Sequence, residues 1–192
     1  MRISKVARLA GFIVALLPFC LPAQETNSAI VLPPTKLDAF ATNTGTVIIR
    51  ATTDIGTVSA NTAVVTVKCE EMTEPRAGRR EYGLGIEIAA GRAAKDTRLV
   101  DYDELDSFLA GLDYLGKVDW SVTTLNSFHA SYTTKSGLRV DAFSSKRSGY
   151  IEFSLHDLAS PLPGILMTRD QMVQFFNFIE QAKTKLDGVR GK

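Results

Sequence analysis

Residues 81–88, Glu81-Tyr82-Gly83-Leu84-Gly85-Ile86-Glu87-Ile88, alternate apolar Tyr82, Leu84, Ile86 and Ile88 with Glu81, Gly83, Gly85 and Glu87. That period of two marks a half-buried strand with one wet face. Shortly after it, Asp101-Tyr102-Asp103-Glu104-Leu105-Asp106 opens a different pattern. Leu105, Phe108, Leu109, Leu112 and Leu115 recur at the three-to-four spacing of one helical face. Asp101 can cap that helix, with Glu104 three residues on as the capping-box partner, while Asp103 and Asp106 suit the positive end of its dipole. Gly116 closes it and Lys117 sits at the negative end.

The strand pattern extends upstream. Residues 47–53, 57–60 and 62–70 carry β-branched runs, separated by a turn at Asp54-Ile55-Gly56 and a break near Asn61. Residues 73–79, with Pro75 and Gly78, read as a loop. Downstream, 126–134, 138–144 and 150–155 alternate as strands, joined through 135–137 and 146–149. A Pro-containing loop at 160–164 leads to a last helix. There Thr168 and Gln171 form a capping box, and Met172, Phe175, Phe176, Ile179 and Leu186 give the apolar stripe. Gly188 is expected to end it, leaving a frayed tail at 189–192. The expected fold class is α+β: antiparallel β-meanders, each followed by a helix, with the two helices packed on the sheet. The layout is that of a duplicated meander-plus-helix unit. One domain is expected over 41–188, preceded by a flexible linker at 24–40 with a short edge strand at 29–32.

The front end has a different character. Arg2, Lys5 and Arg8 precede an apolar run from 9 to 17, then Pro18, Phe19, Cys20, Leu21, Pro22 and Ala23. This is the charged opening, short apolar stretch and small-residue exit of a signal peptide, 1–23. The run is too short to span a bilayer, which needs about 20 apolar residues, and no later stretch reaches that length. Cleavage after Ala23 is expected, giving an exported chain, periplasmic or extracellular. Cys20 would be a lipidation point only if a small residue preceded it, and the residue there is the bulky Phe19. Removing the leader takes three of the 22 basic residues, leaving 19 against 21 acidic ones and a formal charge of −2. Such a surface has no global field for nucleic acid, and none is expected as a partner. Cys69 is then the single thiol, on the same alternating face as Ala63, Val65 and Val67, and is expected to be buried and inert.

Residues 47–115, with the Glu81–Ile86 strand and the Asp101–Asp106 helix start, resemble uncharacterised exported bacterial proteins, and the helix after Thr168 fits the same likeness. The order of elements also resembles the Whirly-type fold, in which four strands and a helix recur. That resemblance implies single-stranded DNA binding through basic and aromatic surfaces.

The chain's own residues show no catalytic motif. His129 and His156 lie in or beside strands, away from any zinc-type spacing, and no serine occupies a Gly-x-Ser-x-Gly elbow. Gly83-Leu84-Gly85 lacks the third glycine of a phosphate loop and sits within a strand, where glycine marks a bulge or a close approach. The acidic residues at 101–106 lack the central Gly and terminal Glu of a calcium loop. No catalytic residue, cofactor or metal is therefore assigned. The densest basic group, Arg76, Arg79 and Arg80, is the candidate contact for an anionic ligand or partner, together with the single Trp120.

These features favour an exported, non-catalytic binding or interaction module of the bacterial envelope, with another envelope protein as partner. An enzyme with a distributed site would require His129 or His156 beside an acid in a pocket. Single-strand nucleic-acid binding would require Arg76, Arg79, Arg80, Arg139, Lys146 and Arg147 on one face with aromatics.

Overall fold

The computed structural model describes residues 34–60, 63–90, 95–145, 149–160 and 164–191. The expected leader, the strand at 29–32 and the connection at 146–148 lie outside the described residues.

Four strands, β1 (Ile49–Ser59), β2 (Ala63–Glu74), β3 (Arg79–Ala90) and β4 (Asp96–Asp101), form an antiparallel meander in the order β1-β2-β3-β4. A 3-10 turn at Tyr102–Glu104 runs into a helix, Leu105–Lys117. A second antiparallel meander follows: β5 (Ser127–Thr133), β6 (Leu138–Ser145), β7 (Ile151–Asp157) and β8 (Ile165–Met167), in the order β5-β6-β7-β8. A long helix, Arg169–Arg190, ends the chain. With a short helix at Lys36–Ala41 ahead of the first meander, the helices are α1 (36–41), α2 (105–117) and α3 (169–190). The α+β class and the repeated meander-then-helix layout are those expected from the sequence.

Alternation explains the burial. Val65, Val67, Leu84 and Ile86 from the first sheet, and Leu138, Val140, Phe153 and Leu155 from the second, point into one shared cluster. Phe108 and Leu112 of α2 enter the same cluster with Phe175 and Ile179 of α3. Neither sheet face nor helix stripe could be covered alone; four apolar surfaces closing on one core solve the problem together. The Thr168–Gln171 capping box forms as expected. Cys69 lies in this core, 6% exposed, and burial raises its thiol pKa to about 11, which keeps it protonated.

Several boundaries differ from the sequence expectation. Residues 47–53 and 57–60 are not two strands around a turn; β1 runs through Asp54-Ile55-Gly56, where the register with β2 shifts by a bulge. The fourth strand of the first sheet is instead Asp96–Asp101, whose short run carries too few apolar residues to be read as a strand. The 73–79 loop shrinks to a turn at 75–78. β8 lies just beyond the 160–164 loop, three residues held by β7. Helix α3 continues through Gly188 to Arg190, so the first two residues of the tail expected at 189–192 are helical. The glycines of Gly83-Leu84-Gly85 mark close approaches: the Val100 backbone carbonyl and the Leu37 side chain lie against Gly83, and the Glu70 carboxylate against Gly85.

The linker expected at 24–40 also contains structure. Thr35 and Asp38 form a capping box for α1, and Leu37 and Phe40 bury against Met72 and Leu99 in a satellite core. Asp101 does not cap α2. Its carboxylate accepts the backbone N–H groups of Lys36 (2.8 Å) and Leu37 (3.2 Å), tying α1 to β4. Glu104 does not complete a box either; its Oε1 accepts the N–H of Lys135 at 2.8 Å, fastening the β5–β6 turn to the start of α2.

Glu104 is 7% exposed and its Oε2 has no hydrogen-bond partner. Burial raises its pKa. A carboxyl raised in the folded state stabilises fully below its unfolded pKa, and that stabilisation is lost as pH rises through the folded value. Glu104→Gln keeps the acceptor for Lys135 and removes the buried charge. Melting curves should show it about 1 kcal/mol more stable than the parent at neutral pH, with the difference closing in acid. An unchanged gap across pH would show that the carboxyl stays hydrated.

Candidate functional site

The outward face of the second sheet carries polar side chains by the same alternation that sends its apolar ones inward. Register places Ser131, Asp141 and Ser154 in one cross-strand row, and Thr133, Arg139 and His156 in the next. His129, Phe143 and Glu152 form the row on the other side. The two histidines of the sequence, more than twenty positions apart, thus occupy diagonal corners around Asp141.

Asp141 is the centre. Its side chain is 4% exposed, although it points away from the main core. Oδ1 lies 2.8 Å from His129 Nε2 and accepts the Arg139 Nε–H at 2.8 Å. Oδ2 lies 3.4 Å from His156 Nε2. A buried carboxylate needs such partners, since desolvation without them costs several kcal/mol. Ser154 is buried beside it, with Oγ 2.8 Å from His156 Nε2. Gly164 leaves the room in which the His156 ring sits; a side chain at 164 would collide with it. Phe143 meets the His129 ring edge-to-face, with centroids 6.2 Å apart. Together with Leu158 these groups line an open depression of about 230 Å³.

Ser154, His156 and Asp141 have the residue types of a hydrolytic triad, without its wiring. A relay needs the serine on one ring nitrogen and the acid on the other, so that the proton is passed across the imidazole. Here the same Nε2 faces both Ser154 Oγ and Asp141 Oδ2. Ser154 is also only 2% exposed, so its oxygen is closed to an incoming carbonyl. A metal centre is equally poorly served: Arg139 occupies Oδ1, and among the described residues no group of three or more His, Cys, Asp or Glu side chains is placed to hold an ion. What remains is a rim of half-exposed donors and acceptors around a fixed carboxylate, with an aromatic edge. That suits recognition of a polar partner.

The residues singled out by sequence do not gather. Arg79 and Arg80 are neighbours on β3, so they leave opposite faces of the first sheet. Arg79 is held in a fork by Glu74 and lies over the Phe40 ring. Arg76 is exposed in the turn at 75–78. Arg80 enters a polar pocket of about 120 Å³ with Lys36, Tyr82, Tyr102 and Arg190, where the Arg190 guanidinium stacks 3.6 Å above Tyr102. Trp120 sits in a 3-10 turn, half-buried and edge-on to Phe128 at 5.9 Å. Arg139 belongs to the Asp141 cluster, and Lys146 and Arg147 lie outside the described residues.

The Asp141 cluster was within partial reach of the sequence. The outward parity of His129, Arg139 and Asp141 follows from strand alternation alone. Their register against Ser154 and His156 depends on which strands pair and with what offset, and no local motif encodes that. Among the described residues no helix is long and apolar enough to cross a membrane. Comparison with family models, curated proteins and solved structures finds no match to this chain.

Proposed function

We propose that this chain is an exported, non-catalytic binding module of the bacterial envelope, and that its contact site is the Asp141 depression on the second sheet. The export half of the proposal rests on the 1–23 leader pattern. The binding half rests on one observation: two histidines and an arginine converge on a single buried carboxylate in an open depression, and a buried serine holds one of the histidines, with no proton relay wired through its ring. Polar groups pre-arranged by a rigid sheet lose little entropy when a partner docks, which is where affinity is gained.

The test is a pull-down from periplasmic extract, using the parent chain and His129→Ala as baits, with bound material identified by mass spectrometry. His129 is 54% exposed, so its removal should leave the fold intact. Recovery of the same envelope protein by the parent and a loss of about five- to thirtyfold with the variant are expected, in line with a contact worth about 1–2 kcal/mol. Equal recovery by both baits would remove the site from the proposal.

The Ser154–His156 contact favours one second reading, an acyl-transfer enzyme whose ring turns over when substrate arrives. That reading requires esterase activity abolished by Ser154→Ala. Parent and variant alike without turnover would leave the binding module standing.

A further inference from the structure

Among the described residues strand β1 forms one edge of the first sheet, and its first six residues, Ile49–Asp54, are all exposed. The reason lies in α3. It packs closely on β1 at the far end, where Phe178 lies against Gly56 and Gln171 Nε2 donates to Ser59 O at 2.6 Å, and leaves a gap at the near end, lined by Ala51 and Thr53 together with Lys185, Leu186 and Val189. The near end therefore stays exposed to solvent, and Val47 and Ile49 add apolar surface there, 68% and 52% exposed. A straight, open edge without proline or lysine is what folded proteins ordinarily cover or blunt. The bulge after Asp54 blunts only the distal half.

The charges on this edge are self-complementary. An antiparallel pairing of two β1 strands about a two-fold axis at Thr52 sets Arg50 of each chain opposite Asp54 of the other. Within one chain, Lys95 pairs with Glu87 at 2.9 Å, Glu87 with Lys68 at 2.9 Å, and Lys68 with Asp54 at 3.7 Å. Separately, Arg50 forks onto buried Glu70 through Nε (2.5 Å) and Nη2 (2.7 Å), which leaves Nη1 for another acceptor. Across the seam these rows join as Lys95, Glu87, Lys68, Asp54, then Arg50 and Glu70 of the second copy. The sign alternates at every step, and symmetry repeats the row once. The Asp54 side chain is 69% exposed and Lys68 approaches it only loosely, so the acid is free to take a second cation.

We infer that β1 is a homodimer interface, in which a second copy of this chain extends the first sheet from four strands to eight through antiparallel pairing centred on Thr52. Unpaired N–H and C=O groups of both edges then satisfy one another, and the two Val47–Ile49 patches are brought to the seam.

Light scattering coupled to gel filtration should give twice the chain mass for the purified protein. Thr52→Lys opposes two like charges on the axis and should return the single-chain mass, with an unchanged circular dichroism spectrum. In a Cys20→Ser background, Thr52→Cys should form a covalent dimer under mild oxidation, because residues facing each other across the axis have disulfide spacing. Thr57→Cys, displaced along the strand from its own copy, should not. Cys69 is buried and contributes no background. A single-chain mass for the parent at all concentrations overturns the inference. So does a dimer that survives Thr52→Lys, or equal cross-linking at 52 and 57.

Discussion

Phe108→Ala is expected to lower the unfolding free energy by about 3–5 kcal/mol, the cost of emptying a ring-sized space in a closed core. The Phe108 side chain is 0% exposed. It stacks on Tyr132 of β5 at 5.6 Å and meets Phe175 of α3 edge-on at 6.4 Å. One ring therefore connects α2 to the second sheet and to the helix that covers the first. Neighbours cannot collapse into the gap without moving both sheets. Total stability of a domain this size is only about 5–15 kcal/mol, so the variant should unfold at much lower urea and lose its near-ultraviolet dichroism early. Phe108→Leu, which keeps most of the volume, should cost less than half as much. A loss under 1 kcal/mol for the alanine variant would mean that α2 is not clamped between the two layers.

Asp101→Ala should cost about 2–3 kcal/mol, through a mechanism confined to one corner of the molecule. The carboxylate is 2% exposed and accepts two backbone N–H groups of α1, with the Lys135 ammonium at 3.9 Å. A six-residue helix has no stability of its own, so α1 depends on this anchor and on the burial of Leu37 and Phe40. Without Asp101, amide exchange should speed up across 36–41 and around Met72 and Leu99, while amides in β6 and β7 remain as slow as in the parent. Asp101→Asn retains one strong acceptor and should lose less than half as much. Uniform acceleration over the whole chain would show instead that α1 is integral to the main core.

Local chemistry wrote much of this fold openly. Alternation in 81–88 and the Leu105–Leu115 stripe were sufficient for β3 and α2, because a period of two or of 3.6 is set by backbone geometry and needs no tertiary partner. The Thr168–Gln171 box worked for the same reason: both partners lie within one turn. Where residues act at a distance, local rules misassigned them. Asp101 and Glu104 have the spacing of a capping box, yet each satisfies backbone groups more than thirty positions away. Asp54-Ile55-Gly56 has turn residues, but pairing with β2 holds it as a bulge.

The candidate site divides along the same line. By itself the sequence determined a layered α+β domain with helices after meanders, a buried thiol at Cys69, and a place for His129 within an alternating strand. Only the tertiary structure decided that His129, Arg139, Asp141, Ser154 and His156 gather, and that β1 is an edge strand among the described residues. Side-chain direction is a property of one strand, whereas adjacency is a property of register and strand order. Those are settled when the two sheets and two helices close on a common core, and no short stretch of chain contains that information.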